Sequence, residues 1–377
     1  MAKNIVICCD GTGNQFGDQN SNVVKAFSVL CKDIPEQILY YHPGVGTKGS
    51  MDRPTLFGQL KQKINKMHGV IYGYGVIDNV VHAYRFLMEN FEAGDKIYLF
   101  GFSRGAYVVR VLCAMLYHFG ILEKGNRVLI EYAVSLFLDS SVINAKITHN
   151  FKQTFGRECS PHFVGVWDTV SSVGWFYDPL HLAFTKENPG IRIGRQAIAL
   201  DERRVYYGTN LWQQAEEDQD LKQVWFPGAH SDVGGGYPIE ESGLASVSLE
   251  WMLAEAKDAG LLIEPDWVKH FFIENPPDPN ATLHQSLHGL WWVPEFIPRN
   301  HVVREGDVYQ KRIGTHGARS RTVPEGSLIH QSVFDRMKDP RNHYHPGNLP
   351  QKYQIEPRRQ LTEAPASETG LPPPEDQ

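Results

Sequence analysis

The sequence predicts an α/β protein with a mainly parallel central sheet covered by helices on both faces. Three observations carry this. Short apolar runs of strand length alternate with helical stripes between Asn4 and Gly260. Each such run ends in a polar turn, most of them rich in glycine. The spacing between runs leaves room for the crossover helices that parallel pairing requires.

The elements follow in order. Lys3 to Cys9 reads as a buried strand running into Asp10-Gly11-Thr12-Gly13-Asn14. Gln37 to His42 is a second strand, ending at Pro43-Gly44-Val45-Gly46-Thr47. Val76, Ile77, Val80, Val81, Tyr84, Leu87, Met88 and Phe91 repeat at helical spacing, and Gly94-Asp95 turns the chain back. Ile97 to Phe100 forms the next strand, followed by Gly101-Phe102-Ser103-Arg104-Gly105. Ala106, Val109, Leu112, Cys113 and Leu116 then mark a helix that Gly120 closes. His162 to Trp167 is a strand ending at Asp168-Thr169-Val170. Gln223 to Phe226 is another, ending in the run from Pro227 to Tyr237. Leu244, Val247, Trp251 and Ala254 give the following helix. Segments 120–160 and 264–325 fit this alternation poorly and read as insertions or a lid within one domain over residues 1–360. The Pro- and Glu-rich tail over 361–377 buries little and is expected to be disordered.

Composition narrows the function classes. With 377 residues, 42% hydrophobic and 21% charged, the chain has ample material for a core. A net charge of −6 gives no concentrated basic surface and argues against nucleic-acid binding. Five cysteines without a Cys-x-x-Cys spacing read as reduced core thiols. The N-terminus runs straight into a strand without a signal peptide, and no apolar run is long enough to span a bilayer. The expectation is a cytoplasmic protein, with export by a specialised secretion system left open. No cofactor or metal is expected, and the sequence leaves oligomeric state undetermined.

The chemistry concentrates at Ser103. Gly-x-Ser-x-Gly on a tight strand-to-helix turn pushes a serine hydroxyl into the open. The pattern alone is weak in a glycine-rich chain, but here the strand and the helix that it requires both flank it. Such a serine needs a histidine to take its proton and a carboxylate to orient that histidine, in the order Ser, acid, His. Ser103, Asp168 and His230 satisfy the order. So do Ser103, Asp232 and His330. The first set is favoured because Asp168 caps a wholly apolar strand and His230 sits on a glycine-rich turn. Asp232 is then expected to brace the His230 loop through amides of the glycine run. The oxyanion hole is assigned to the N–H groups of Arg104, Gly11 and Thr12, with Asp10 and Asn14 supporting the turn.

These residues resemble the α/β-hydrolase family long catalogued as a domain of unknown function, which includes phospholipase effectors of bacterial type VI secretion. The resemblance rests on the block from Cys9 to Asn14, on Gly101 to Ala106, on Val166 to Val170, on Ala199 to Arg204, and on Phe226 to Tyr237. It implies an α/β-hydrolase core, Ser103 as nucleophile, Asp168 as acid, His230 as base, and ester hydrolysis with phospholipid as substrate in the effector branch. The sequence reads as a single domain plus a tail, and the extra regions of large secreted effectors are not expected in it.

Other features compete. The aromatic stretch from His284 to Phe296, with Trp291 and Trp292, reads as a packed insertion or as a lid making transient membrane-surface contact. His284 and His288 have metal-like spacing without the acidic partner of a zinc motif. Arg104, Arg203 and Arg204 can hold a substrate phosphate, although Asp201 and Glu202 are ready partners for the arginine pair. Asp10-Gly11-Thr12 echoes the loop of aspartate-nucleophile phosphatases, but Cys8 stands where their second aspartate belongs. A non-catalytic binding protein on a hydrolase fold is the remaining alternative.

Overall fold

The computed structural model describes residues 2–11, 16–32, 34–44, 70–138, 145–170, 174–175, 178–179, 185–213, 217–305 and 308–361. Its centre is an eight-stranded sheet of β1 (Asn4–Cys9), β2 (Gln37–His42), β3 (Lys96–Phe102), β4 (Pro161–Trp167), β5 (Ile193–Ala199), β6 (Asp220–Phe226), β7 (Ser327–His330) and β8 (Tyr353–Glu356). The spatial order is β2-β1-β3-β4-β5-β6-β7-β8, and every neighbouring pair is parallel. The α/β architecture read from the sequence is therefore the one the chain adopts.

Both faces are covered. On one, α2 (Val70–Asn90), α3 (Arg104–Phe119), α4 (Arg127–Leu138) and α5 (Ala145–Phe155) pack with Ile5, Ile7, Leu99 and Val164. On the other, α1 (Asn22–Ser28), α7 (Gly243–Asp258) and α8 (Pro265–Glu274) pack with Val6, Cys8, Tyr98 and Phe163. Alternate residues of β1 thus serve opposite cores, and all six are buried. Short α6 (His230–Gly234) follows β6, and α9 (Gln331–Lys338) follows β7. No helix among the described residues is long and apolar enough to cross a membrane.

Three strands of the sheet, β5, β7 and β8, escape the sequence pattern, and for β5 and β8 the physical reason is plain. β5 carries Arg195 and Gln196, both buried, which break its apolar run. Arg195 is neutralised by Glu255 at 2.5 Å and Asp220 at 2.6 Å, and Gln196 accepts from Arg110 at 2.8 Å. Paired in this way, buried polar groups are tolerated in the sheet. β8 is an edge strand with three exposed residues, so it lacks an apolar signature; Glu356 at its end accepts from Trp251 Nε1 at 3.1 Å.

Segment 120–160 lies against the helical layer. Ile121–Leu122 pairs antiparallel with Gly156–Arg157, and Ile130, Ala133, Phe137 and Phe151 enter the core. Segment 264–325 contains α8, a 3-10 helix at Gly289–Phe296 and an antiparallel hairpin of Arg299–Glu305 with Val308–Gly314. Residue Leu361, taken as the start of the tail, is buried against the second core; the rest of the tail lies outside the described residues.

The strand order sets the place of a site. The chain steps outward from β1 to β2 and then crosses back to β3, so β1 and β3 form a topological switch point. Ligands of open parallel sheets bind in the crevice at the carboxyl ends of such strands.

Candidate active site

Ser103 lies at that crevice, at the end of β3. Its backbone has φ 57° and ψ −120°, a conformation that L-residues rarely adopt. Its N–H donates to Trp167 O at 3.1 Å, which ties the turn to β4. Two glycines make the turn possible. A Cβ at Gly101 would lie 2.7 Å from the backbone of Ala106, and one at Gly105 would lie 2.2 Å from Cys9 O. The elbow therefore folds onto itself and presses against the end of β1, with α3 starting at Arg104.

Asp168 follows β4 and also has a positive φ, 37°. His230 follows β6 as the first residue of α6. The structure brings them together: His230 Nδ1 and Asp168 Oδ2 are 2.5 Å apart, and both side chains are buried. The imidazole packs edge-on against Tyr207 and tilted against Phe102, the neighbour of Ser103, each at 4.6 Å between ring centroids. Among the described residues the Ser103 hydroxyl has no hydrogen bond to His230; contacts of this kind are often long before substrate arrives.

The surroundings of Asp168 are more elaborate than the sequence indicated. Oδ1 accepts from Ala199 N at 2.9 Å and from Arg321 Nη1 at 2.6 Å, and Oδ2 accepts from Arg321 Nη2 at 3.0 Å. Burial alone would raise the Asp168 carboxyl. The Arg321 guanidinium and the His230 ring outweigh it and hold the acid well below the usual carboxylate range. Burial dominates at His230 and lowers its proton affinity, with Asp168 opposing.

Glu202 is a second buried anchor. It accepts from His230 N at 3.2 Å, from Arg204 Nη2 at 2.8 Å and from Ser286 Oγ at 3.0 Å. Burial would raise it, but the Arg204 contacts bring it down to about 2. Arg204 also lies over the rings of Tyr207, at 3.7 Å, and Trp291, at 5.0 Å. The aromatic stretch therefore reaches the site through Trp291, while Trp292, Val293 and Phe296 remain exposed.

The alternative pair is not assembled. His330 Nδ1 is hydrogen-bonded to Ser332 Oγ at 2.7 Å, and its Nε2 has no hydrogen-bond partner among the described residues. It caps α9 and stacks on Phe226. Asp232 is engaged by Ala229 N at 2.9 Å and by His284 Nδ1 at 2.6 Å. The amides it braces are those of Ala229 and His284, not of the glycine run, because its position in the first turn of α6 faces back to the helix start. His284, read as lacking an acidic partner, sits between Asp232 and Glu241 at 2.6 and 3.0 Å. Among the described residues no group of three or more His, Cys, Asp or Glu side chains is placed to hold a metal.

The loop after β1 also differs from expectation. The Gly11 N–H, assigned to the oxyanion hole, donates to Asp10 Oδ1 at 2.6 Å. A charged acceptor one residue away captures that donor. Asp10 Oδ2 accepts from Ser21 Oγ and Tyr41 Oη, both at 2.8 Å, so this carboxylate braces the loop. Thr12 and Asn14 lie outside the described residues. An apolar cleft of about 640 Å³ lined by Phe27, Leu30, Tyr41 and Trp267 runs beside α1, and none of Ser103, Asp168 or His230 lines it.

Comparison with known proteins gives the family of the chain. Residues 3–255 match the model of the type VI secretion family "Phospholipase effector Tle1-like, catalytic domain". The chain belongs to that family. The matched range contains Ser103, Asp168 and His230 but ends before Arg321. The uncharacterized protein YEL023C of Saccharomyces cerevisiae is 36% identical over 219 residues, covering 54% of this chain and 31% of the yeast protein. The chain thus spans about a third of that relative's length. An uncharacterized protein from Pseudomonas aeruginosa aligns with a TM-score of 0.42 and 18% identity, over 71% of this chain and 47% of that one. The Tle1 effector bound to the VgrG spike of the type VI secretion system aligns with 0.36 and 20%, over 64% and 52%.

Sequence reasoning missed Arg321, Tyr207 and the anchoring role of Glu202. Arg321 is 153 residues from Asp168 and stands in a basic loop with no periodicity to mark it.

Proposed function

We propose that this protein hydrolyses carboxylic esters of lipids through an acyl-enzyme on Ser103, with phospholipids as the substrate class. The observation that carries the reading is the hydrogen-bonded His230–Asp168 pair, buried at strand ends beside a strained serine at the switch point. Membership of a phospholipase effector family supports the substrate class.

His230 Nε2 takes the proton of Ser103 as Oγ attacks the ester carbonyl. Asp168 stays ionised and stabilises the imidazolium through Nδ1. The N–H of Arg104, at the start of α3, receives the developing oxyanion, and Thr12 is the second donor assigned by the sequence. Collapse breaks the ester bond, and the alcohol leaves with the proton held by His230. Water, deprotonated by His230, then attacks the acyl-enzyme; the fatty acid leaves and Ser103 regains its proton. Trp291, over the Arg204–Tyr207 stack, brings the aromatic segment to the mouth of the site, where an acyl chain or a membrane surface would meet it.

The test is Ser103→Ala assayed on a p-nitrophenyl ester and on phospholipid vesicles, with circular dichroism as the folding control. The expected loss of turnover is at least about a thousandfold with an unchanged spectrum. Full turnover by the variant would end the nucleophile reading.

A further inference from the structure

We infer that Arg321 is a positioning residue for the reaction: its guanidinium fork holds the Asp168 carboxylate in one orientation and offsets its charge, leaving a single oxygen lobe for His230. The inference rests on the reading of Asp168 and His230 as acid and base.

The geometry is that of a clamp. Arg321 donates to both carboxylate oxygens, at 2.6 and 3.0 Å, and also to Ala199 O at 2.8 Å and Tyr207 O at 2.5 Å. Ala199 N occupies a further position on Oδ1. With His230 on Oδ2, rotation of the carboxylate would break several bonds at once. The donor is itself held. Arg321 O accepts from Asn348 Nδ2 at 3.1 Å, and that amide also reaches Leu200 O at 3.0 Å. Three residues upstream, Ala318 N donates to Glu295, a carboxylate that also accepts from Val205 N and His316 Nδ1. Glu295 belongs to the same 3-10 helix as Trp291. The loop that carries Arg321 is thus tied through Ala318 and Glu295 to the 3-10 helix that bears Trp291.

A buried carboxylate needs compensation, and a cation serving only that purpose would affect folding alone. A positioning role makes a further demand. The guanidinium competes with the imidazolium for the charge of Asp168, so removing it must raise the proton affinity of the Asp168–His230 pair. It must also loosen the imidazole relative to Ser103, which lowers kcat more than it raises KM.

The experiment uses the full chain with Arg321→Met and Arg321→Lys. The His230 ring is titrated by NMR, and kcat/KM for a p-nitrophenyl ester is followed against pH. In Arg321→Met the His230 midpoint and the acid limb are expected to move up by about one pH unit. The kcat is expected to fall about tenfold to a hundredfold, with KM changed less than about threefold. Arg321→Lys restores the charge but not the fork, so its midpoint returns toward that of the native protein while kcat stays about tenfold low. An unmoved midpoint and acid limb in Arg321→Met would overturn the inference. Where that variant fails to fold, native kcat in Arg321→Lys would do so. The Arg321→Met titration is repeated in the Ser103→Ala background, which needs no turnover. Full activity there removes the catalytic reading, whereas an unmoved His230 midpoint removes only the role of Arg321.

Discussion

Ser103 and Asp168 have positive φ at the ends of adjacent strands, and both conformations are held by backbone bonds across the sheet. Strain of this kind persists only where the surroundings over-determine it. The histidines divide by environment. His230 is neutral and oriented by a carboxylate, whereas His330 is neutral and bonded to the Ser332 hydroxyl. Burial, aided by Arg358, pushes His330 down to about 3. Its ordinary value is about 6.5, so between those limits the unfolded chain takes up a proton that the folded chain refuses. Stability is therefore expected to fall as pH drops from about 6.5 toward 3. Thermal melts of His330→Asn, which keeps a capping side chain for α9, should show a shallower decline than the native protein. An identical slope would mean that His330 titrates normally in the folded state.

At the scale of the element, the turn from β3 to α3 is defined by what its glycines exclude. Gly105 lies within the first turn of α3, where alanine would ordinarily gain about 1 kcal/mol in helix propensity. Here the added Cβ would meet Cys9 O and Asp10 O at 2.2 and 2.5 Å, atoms of β1 and its turn that cannot swing aside like a side chain. Gly105→Ala is therefore expected to lower stability by about 1–3 kcal/mol and to cut the proposed ester turnover. Denaturant melts decide it: a stabilised variant would show that α3 and β1 separate freely.

At the scale of the whole molecule, two exposed aromatic residues belong to the 3-10 helix whose Trp291 reaches the site. Trp292 and Phe296 stack on each other, with 41% and 63% of their surfaces exposed, and Trp291 reaches inward to Tyr207. A chain of net charge −6 gains little from electrostatic attraction to anionic lipid, so contact through this patch depends on apolar burial. The double variant Trp292→Ser/Phe296→Ser is expected to bind zwitterionic phospholipid vesicles roughly tenfold more weakly. Sedimentation with vesicles at low and high salt reads this directly. A native-like affinity, or one abolished by salt, would place the contact elsewhere.

The sequence by itself determined the alternation of β1, β3, β4 and the end of β6 with their helices, because strand segments buried on both faces read as apolar runs. It also determined the candidates Ser103, Asp168 and His230, because strand ends followed by glycine-rich turns are legible as local pattern. It favoured His230 over His330 from local pattern alone; the tertiary structure decides which ring faces a carboxylate, since His230 meets Asp168 and His330 meets Ser332. It missed β5, whose arginine and glutamine find their partners only across the fold. Nor could it foresee that Asp10 captures the Gly11 N–H, or that Arg321 closes on Asp168 from a segment that looked like an insertion. The bonds of Arg195, Gln196 and Arg321 join residues far apart in the chain, and their energy exists only once the sheet has brought them together.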